Sequence, residues 1–249
     1  MNKTTHLTTE PLFRVVEIFD SLEGEGKRAG ATATFIRMAG CNMRCVYCDT
    51  AQALEFSAGV EMTLGEILAQ VHPLYKRVTL TGGEPLLAQG VDELVQQLLA
   101  RGVEVNIETN GSIDVAFFRA RVMESVVSGG RLFFTIDYKL PSSGENEQML
   151  DENYFALYGD DVLKFVVGSA DDVPAMVRLV AQMQNSGCVM PQIYIGAVAT
   201  VGGATARGLH AGFSLDALAA VILREPTLRD ARMQLQFHKI IWGADATGV

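Results

Sequence analysis

The chain predicts an α/β fold built on a parallel sheet, and three observations carry that expectation. Short β-branched and aromatic runs recur along the 249 residues. Most of these runs are too apolar to have a wet face, as strands covered by helices on both sides must be. Amphipathic stretches at helical spacing separate most of them. Such βα repetition forms either an open barrel or a doubly wound sheet.

The first predicted strand is ATFIRM, 33–38, and the first helix is LGEILAQV, with Thr63 before it as N-cap. RVTL, 77–80, follows as a strand; Val91, Leu94, Val95, Leu98 and Leu99 then repeat at helical spacing and stop at Arg101 and Gly102. VEVNIE, 103–108, and RLFFTID, 131–137, read as the next strands. The segment PSSGENEQMLDENY, 141–154, is long and polar, which suggests a lid or binding loop. VLKFVV, 162–167, leads to a helix after Ser169 (ADDVPAMVRLVAQMQ), and QIYIGAV, 192–198, to one after Ser214 (LDALAAVIL). MQLQF, 233–237, reads as the last strand. No low-complexity tract and no clean linker interrupts this series, so a single domain over 1–249 is expected.

Composition narrows the function. With 49% hydrophobic residues the chain can bury a sizeable core. Lys and Arg total 20 against 29 Asp and Glu, a net charge of −9 with no basic run, which argues against nucleic acid as a direct substrate. The opening MNKTTHLTTEP lacks the apolar stretch of a signal peptide and no run reaches the length of a membrane span, so a cytoplasmic protein with reduced thiols is expected.

The densest chemistry stands in GCNMRCVYCDT, where Cys41, Cys45 and Cys48 make a CxxxCxxC spacing. Three thiolates can hold three irons of a cubane cluster and leave the fourth without a protein ligand. An open iron points to chemistry at the metal more than to electron carriage. Cys188 lies far along the chain and reads as a small apolar filler. A structural zinc completed by Cys188 or His72 is the rival reading, although the paired knuckles usual for zinc are missing. If the sheet is parallel, ligands gather at the carboxyl ends of its strands. The cysteine loop falls there, and so do TGGEP (81–85), TNG (109–111) and YKLPSSG (138–144). In TGGEP two glycines permit close backbone approach to a ligand, and Glu84 could accept from an ammonium group.

Taken together, CxxxCxxC in the first loop and GGEP after the second strand resemble the radical S-adenosylmethionine superfamily. That resemblance implies a partial, open parallel β/α barrel of about six core strands, a [4Fe-4S] cluster, and S-adenosylmethionine chelated at the open iron. Reduction would then yield a 5'-deoxyadenosyl radical. A narrower resemblance runs over nearly the whole chain: EIFDSLEGEGKRAG, TFIRMAGCNMRCVYCDT, TGGEP, ETNG, DYKLPSSG and FHKIIWGADATGV are similar to the 7-carboxy-7-deazaguanine synthase family. It implies a lyase of queuosine and other 7-deazapurine biosynthesis, converting 6-carboxy-5,6,7,8-tetrahydropterin to 7-carboxy-7-deazaguanine plus ammonia. It further implies Mg2+, an external electron donor of flavodoxin or ferredoxin type, and a homodimer.

The same resemblance assigns residues. Cys41, Cys45 and Cys48 would hold the cluster and Thr50 the Mg2+, a hard oxygen for a hard ion. Tyr47, Cys48, Asp49, Gly83, Glu84, Glu108, Asn110, Asp137, Tyr138 and Lys139 would face S-adenosylmethionine. Leu22, Glu23, Gly24, Arg37, Thr81 and the terminal Val249 would face the pterin, with Arg37 gripping its carboxylate. His238 and Trp242 read as packing for the tail. Without the family, Thr50 reads as a helix cap and Arg37 as a strand-end salt bridge. Two departures stand out: Glu23 where many relatives carry Gln, and Asp137, Tyr138 and Lys139 where some carry SPK. A radical-activating enzyme acting on a protein, and a non-enzymatic iron-sulfur or zinc regulator, are the alternative classes.

Overall fold

In the computed structural model residues 11–125, 129–198, 213–243 and 246–249 are described. Residues 1–10, on which the expectation of a missing leader rests, lie outside them. The sheet has nine strands in the order β3-β1-β2-β4-β5-β6-β7-β8-β9. These are β1 Leu12–Leu22, β2 Thr32–Met38, β3 Val60–Thr63, β4 Arg77–Gly82, β5 Glu104–Thr109, β6 Leu132–Tyr138, β7 Val162–Val167, β8 Gln192–Ala197 and β9 Arg232–Met233. From β2 to β9 each neighbour is parallel, while β1 pairs antiparallel with both β2 and β3. The two edge strands do not meet, which gives the open, partial barrel.

The helices are α1 Leu64–Gln70, α2 Val91–Ala100, α3 Val115–Met123, α4 Asp151–Phe155, α5 Asp172–Ser186, α6 Leu215–Arg224 and α7 Phe237–Trp242. Thr63 and Glu66 form a reciprocal capping box on α1, and the Ser214 hydroxyl accepts from Ala217 N on α6. The cap expected at Ser169 falls instead at Asp171, which makes no side-chain cap bond, while the Asp172 carboxylate accepts from Ser169 N. Between helices and sheet lies one core. Val78, Leu80, Val105, Ile107, Phe134, Ile136, Leu163, Phe165 and Ile195 meet Leu94, Leu98, Met176 and Val180 there. Alternate strand residues face the other way, into the barrel, and there the chain is polar: Thr81, Glu108, Thr135, Asp137 and Lys164.

Four expectations differ from this fold. β1 and β3 are strands beyond those predicted, because the polar Glu17 and Asp20 interrupt the apolar run of β1 and β3 is short and exposed. α3 is a further helix; VAFFRARVM shows no single apolar face, yet Asp114 caps it by accepting from Phe117 N, and Val115, Phe118 and Val122 are buried. The last strand is only Arg232–Met233, and Phe237 already starts α7, since its N–H leaves the sheet to bond Gly24 O at 3.0 Å. The 141–154 segment is no loose lid. It folds into two short 3-10 turns and α4, with Tyr154 fully buried and Asn153 Nδ2 donating to Gly111 O and Ile113 O at 2.9 and 2.8 Å.

Candidate active site

The cysteine loop leaves β2 at Met38 and is clamped by backbone on three sides. Gly40 N and Cys41 N donate to Ala53 O and Leu54 O, Glu84 N donates to Gly40 O, and Val46 N donates to Ser143 O, all between 2.8 and 3.0 Å. The Arg44 guanidinium donates to Cys41 O and Met43 O at 2.8 and 2.9 Å, which curls the loop. Cys41 and Cys45 are buried and pack with Met43 and Leu54, with Cys48 against them. Burial pushes the Cys41 thiol up and the Cys45 thiol to about 11, so metal must displace protons to bind here. Among the described residues no three Cys, His, Asp or Glu side chains converge closely enough to hold one ion. A cubane asks instead for one thiolate on each of three irons, which this loop supplies. His72, the candidate fourth ligand of the zinc reading, stacks on Tyr75 and accepts from Leu74 N. Cys188 packs against the main core at the end of α5.

The TGGEP turn presses on this loop. Gly82 has φ 144°, and a Cβ there would lie 2.2 Å from Met38 O; one on Gly83 would lie 2.3 Å from Gly40 O. The close approach expected toward a ligand is thus also an approach of backbone to backbone. Glu84 corrects a second expectation. Its carboxylate is fully buried and accepts from Leu86 N at 3.0 Å, Asn110 N at 2.7 Å and the Thr109 hydroxyl, tying the end of β4 to the end of β5. Burial pushes it up to about 7 despite these bonds. It does not line the cavity.

That cavity, about 580 Å³, opens over the carboxyl ends of the strands and is lined by Cys41, Cys45, Cys48 and Thr50. Tyr47, Asp49, Gly83, Glu108, Asn110, Asp137 and Lys139 line it as well. So do Leu22, Glu23, Gly24, Arg37, Thr81 and Val249. Tyr138 does not: one step out of phase with Asp137 on β6, its ring packs edge-on against Tyr154 and Phe165 in the core. Glu23 and Asn110 reach the cavity with side chains engaged by neighbours. The buried Glu23 carboxylate pairs with Arg28 and the Thr79 hydroxyl, so the departure from Gln is matched by a buried cation. Asn110 Nδ2 donates to Asn42 Oδ1 at 3.0 Å and lies 3.8 Å from Cys41 Sγ, while its oxygen accepts from Ser112. The Thr50 hydroxyl makes no cap bond and donates to Asp49 Oδ1 at 3.2 Å.

Sequence reasoning named Asp137 and Lys139 but missed Lys164, Glu25 and Gln236, which extend them into a charged ladder across the floor. Lys139 Nζ donates to Asp137 at 2.6 Å, Lys164 Nζ lies 3.3 Å from Asp137 Oδ1 and 2.9 Å from Glu25, and Gln236 donates to Glu25. The lone lysine inside VLKFVV was the visible signal for Lys164. The tail closes the far side: Lys239 Nζ donates to Asp49 at 2.6 Å, and His238 packs so tightly on Gly24 that a Cβ there would lie 2.1 Å from its Nδ1. His238 therefore lines the cavity, whereas Trp242 is 41% exposed.

The Radical SAM superfamily pattern matches residues 35–137, from β2 to the end of β6. The 7-carboxy-7-deazaguanine synthase of Clostridium acetobutylicum is 37% identical over 242 residues, 95% of this chain and 99% of that protein. The chain belongs to the 7-carboxy-7-deazaguanine synthase family. The synthase of Pyrobaculum aerophilum is 38% identical over 178 residues, 70% of this chain and 75% of that one. The crystal structure of QueE from Escherichia coli shares the fold, with a TM-score of 0.64 at 22% identity over 90% of this chain and 94% of that one. As a radical S-adenosylmethionine enzyme, this synthase-family member uses a [4Fe-4S] cluster and S-adenosylmethionine. The three-cysteine loop fits the first, and the cavity beside Gly83, Asp137 and Lys139 is roomy and polar enough for the second.

Proposed function

We propose that this protein, acting as one domain, converts 6-carboxy-5,6,7,8-tetrahydropterin to 7-carboxy-7-deazaguanine with loss of ammonia, in 7-deazapurine biosynthesis. The observation that carries the reading is that Arg37 and the three-cysteine loop open onto one cavity. When bound, the cluster and S-adenosylmethionine supply a carbon radical that abstracts hydrogen. The chain's own part is placement and exclusion of water. Arg37 offers a guanidinium to the pterin carboxylate. Thr81, whose hydroxyl donates to Glu108 at 2.8 Å, offers its oxygen to the heterocycle from the floor. Gly24 and the tail helix close over it, with Val249 bordering the same cavity.

Thr50 is the protein ligand proposed for Mg2+, its oxygen one residue from Asp49 and free of capping duty. The reading includes an external electron donor of flavodoxin or ferredoxin type. A second copy of the chain as partner is supported by the exposed apolar Ile240, Ile241 and Trp242 on α7. Among the described residues no helix is long and apolar enough to cross a membrane. A cytoplasmic setting is part of the proposal, since the cluster needs reduced thiols.

The test is direct. Protein reconstituted anaerobically with iron and sulfide, then reduced and given S-adenosylmethionine, Mg2+ and the carboxypterin, is expected to yield the deazapurine acid and ammonia, with S-adenosylmethionine largely regenerated. Accumulation of deoxyadenosine without deazapurine would overturn the substrate while leaving the superfamily in place.

A further inference from the structure

The ladder between β1 and β2 changes register once. Val15 faces Met38, but the next pair is Glu17 with Arg37, followed by Ile18 with Ile36 and Phe19 with Phe35. Val16 is therefore an extra residue, a β-bulge. Its effect is on which way side chains point. Before it, Phe13 and Val15 face the helices and belong to the core. After it, Ile18 packs on that core, while Glu17 and Phe19 line the cavity. A continuous ladder would set Glu17 opposite Ile36 and turn it away from the site.

The bulge thus delivers a carboxylate to Arg37. Glu17 Oε1 accepts from Arg37 Nε at 2.7 Å, and both side chains are largely buried, at 23% and 17% exposure. The Phe19 ring, stacked on Phe35 with centroids 5.1 Å apart, lies 5.9 Å from the Arg37 guanidinium carbon and supports it from the side. Among the described residues the two terminal nitrogens of Arg37 have no hydrogen-bond partner. Holding a guanidinium by Nε leaves its end-on fork free, and that fork matches a carboxylate with two parallel bonds.

We propose that Glu17 is a positioning residue that fixes Arg37 through Nε, so that both terminal nitrogens meet the substrate carboxylate end-on. The inference rests on the carboxypterin reading above. Glu17 acts in two opposed ways: its charge repels a carboxylate ligand, and its geometry prepares Arg37 for one. The two are separable because they predict opposite signs when Glu17 is truncated.

The experiment measures binding without turnover, using the reconstituted protein with S-adenosylmethionine and Mg2+ but no reductant. The probes are 6-carboxytetrahydropterin and the same tetrahydropterin lacking the carboxylate. Glu17→Ala is expected to weaken the carboxylated ligand about 10- to 100-fold, the worth of a charged hydrogen bond, and to move the other by no more than about threefold. Glu17→Gln retains the carboxylated ligand, because its amide oxygen still accepts from Nε. In an Arg37→Ala background, Glu17→Ala should add nothing. Cluster absorption serves as the folding control; if Glu17→Ala fails it, Glu17→Met carries the same expectation. Equal or tighter binding of the carboxylated ligand by Glu17→Ala would overturn the proposal, as would equal loss of both ligands. A wild-type protein that does not distinguish the two pterins would instead overturn the substrate reading.

Discussion

Replacing Arg28 with Met is expected to destabilise the protein by about 3–5 kcal/mol, the usual cost of stranding one member of a buried ion pair. The Arg28 and Glu23 side chains are only 6% and 3% exposed. The guanidinium also donates to Val78 O at 3.3 Å and Glu104 O at 3.2 Å, so it joins the Leu22–Gly24 turn to β4 and β5. Its loss leaves the Glu23 carboxyl with the Thr79 hydroxyl. Against a total stability of about 5–15 kcal/mol the effect is large. The double variant Arg28→Met with Glu23→Gln removes both charges and should recover about 2 kcal/mol or more of that loss. A pH signature follows. Burial already holds the Glu23 carboxyl above its ordinary 4.5, with Arg28 opposing; without Arg28 it rises further. A carboxyl raised in the folded state favours folding below its unfolded value and loses that stability as pH rises through the folded one. The Arg28→Met deficit should therefore be larger at pH 8 than at pH 5, and the double variant should lack this difference. Urea unfolding of the metal-free protein, followed by circular dichroism at both pH values, measures all of this. Single and double variants of equal stability at both pH values would refute the reasoning.

Changing any of Cys41, Cys45 or Cys48 to Ala should abolish the brown absorption of reconstituted protein, whereas Cys188→Ala should keep it; loss in all four would revive a four-cysteine site. Gly83→Ala forces a Cβ to 2.3 Å from Gly40 O, between two backbones that cannot give, and is expected to cost about 1–3 kcal/mol in thermal unfolding and to weaken retention of S-adenosylmethionine. A change below about 0.5 kcal/mol would contradict the close contact. Lys239→Ala breaks a pair whose Asp49 side chain is half exposed and whose Lys239 side chain is 15% exposed, so global stability should fall by about 1 kcal/mol or less. Hydrogen exchange in 236–249 should nonetheless accelerate; an unchanged rate would show that the latch does not hold the tail.

Elements with a regular apolar period are legible in the residues alone. The strands of the parallel sheet and helices α1, α2, α5 and α6 fall within a few residues of where the pattern puts them. What escaped was irregular for a reason. In β1 the bulge at Val16 breaks the alternation, and the inward Glu17 reads as a polar interruption. In α3 an exposed Phe117 beside a buried Phe118 hides the apolar face. The 141–154 segment reads as a loop because its polar Asn153 and Ser143 are buried by bonding backbone, which composition does not show.

The chain by itself determined what rests on short separations: the three cysteines within one loop, the glycines of TGGEP, and the order of strands and helices that sets both at one end of a sheet. Tertiary structure decided what each polar group does there. It turned Glu84 into a tie between strand ends, paired Glu23 with Arg28, aimed Tyr138 at the core and Asp137 at the cavity, and joined Lys164 to Glu25 across 139 residues of chain. The physical reason is that a side chain's partner depends on register and on which face it takes. One bulged residue reverses the face for everything that follows it, without altering composition or the spacing of any motif.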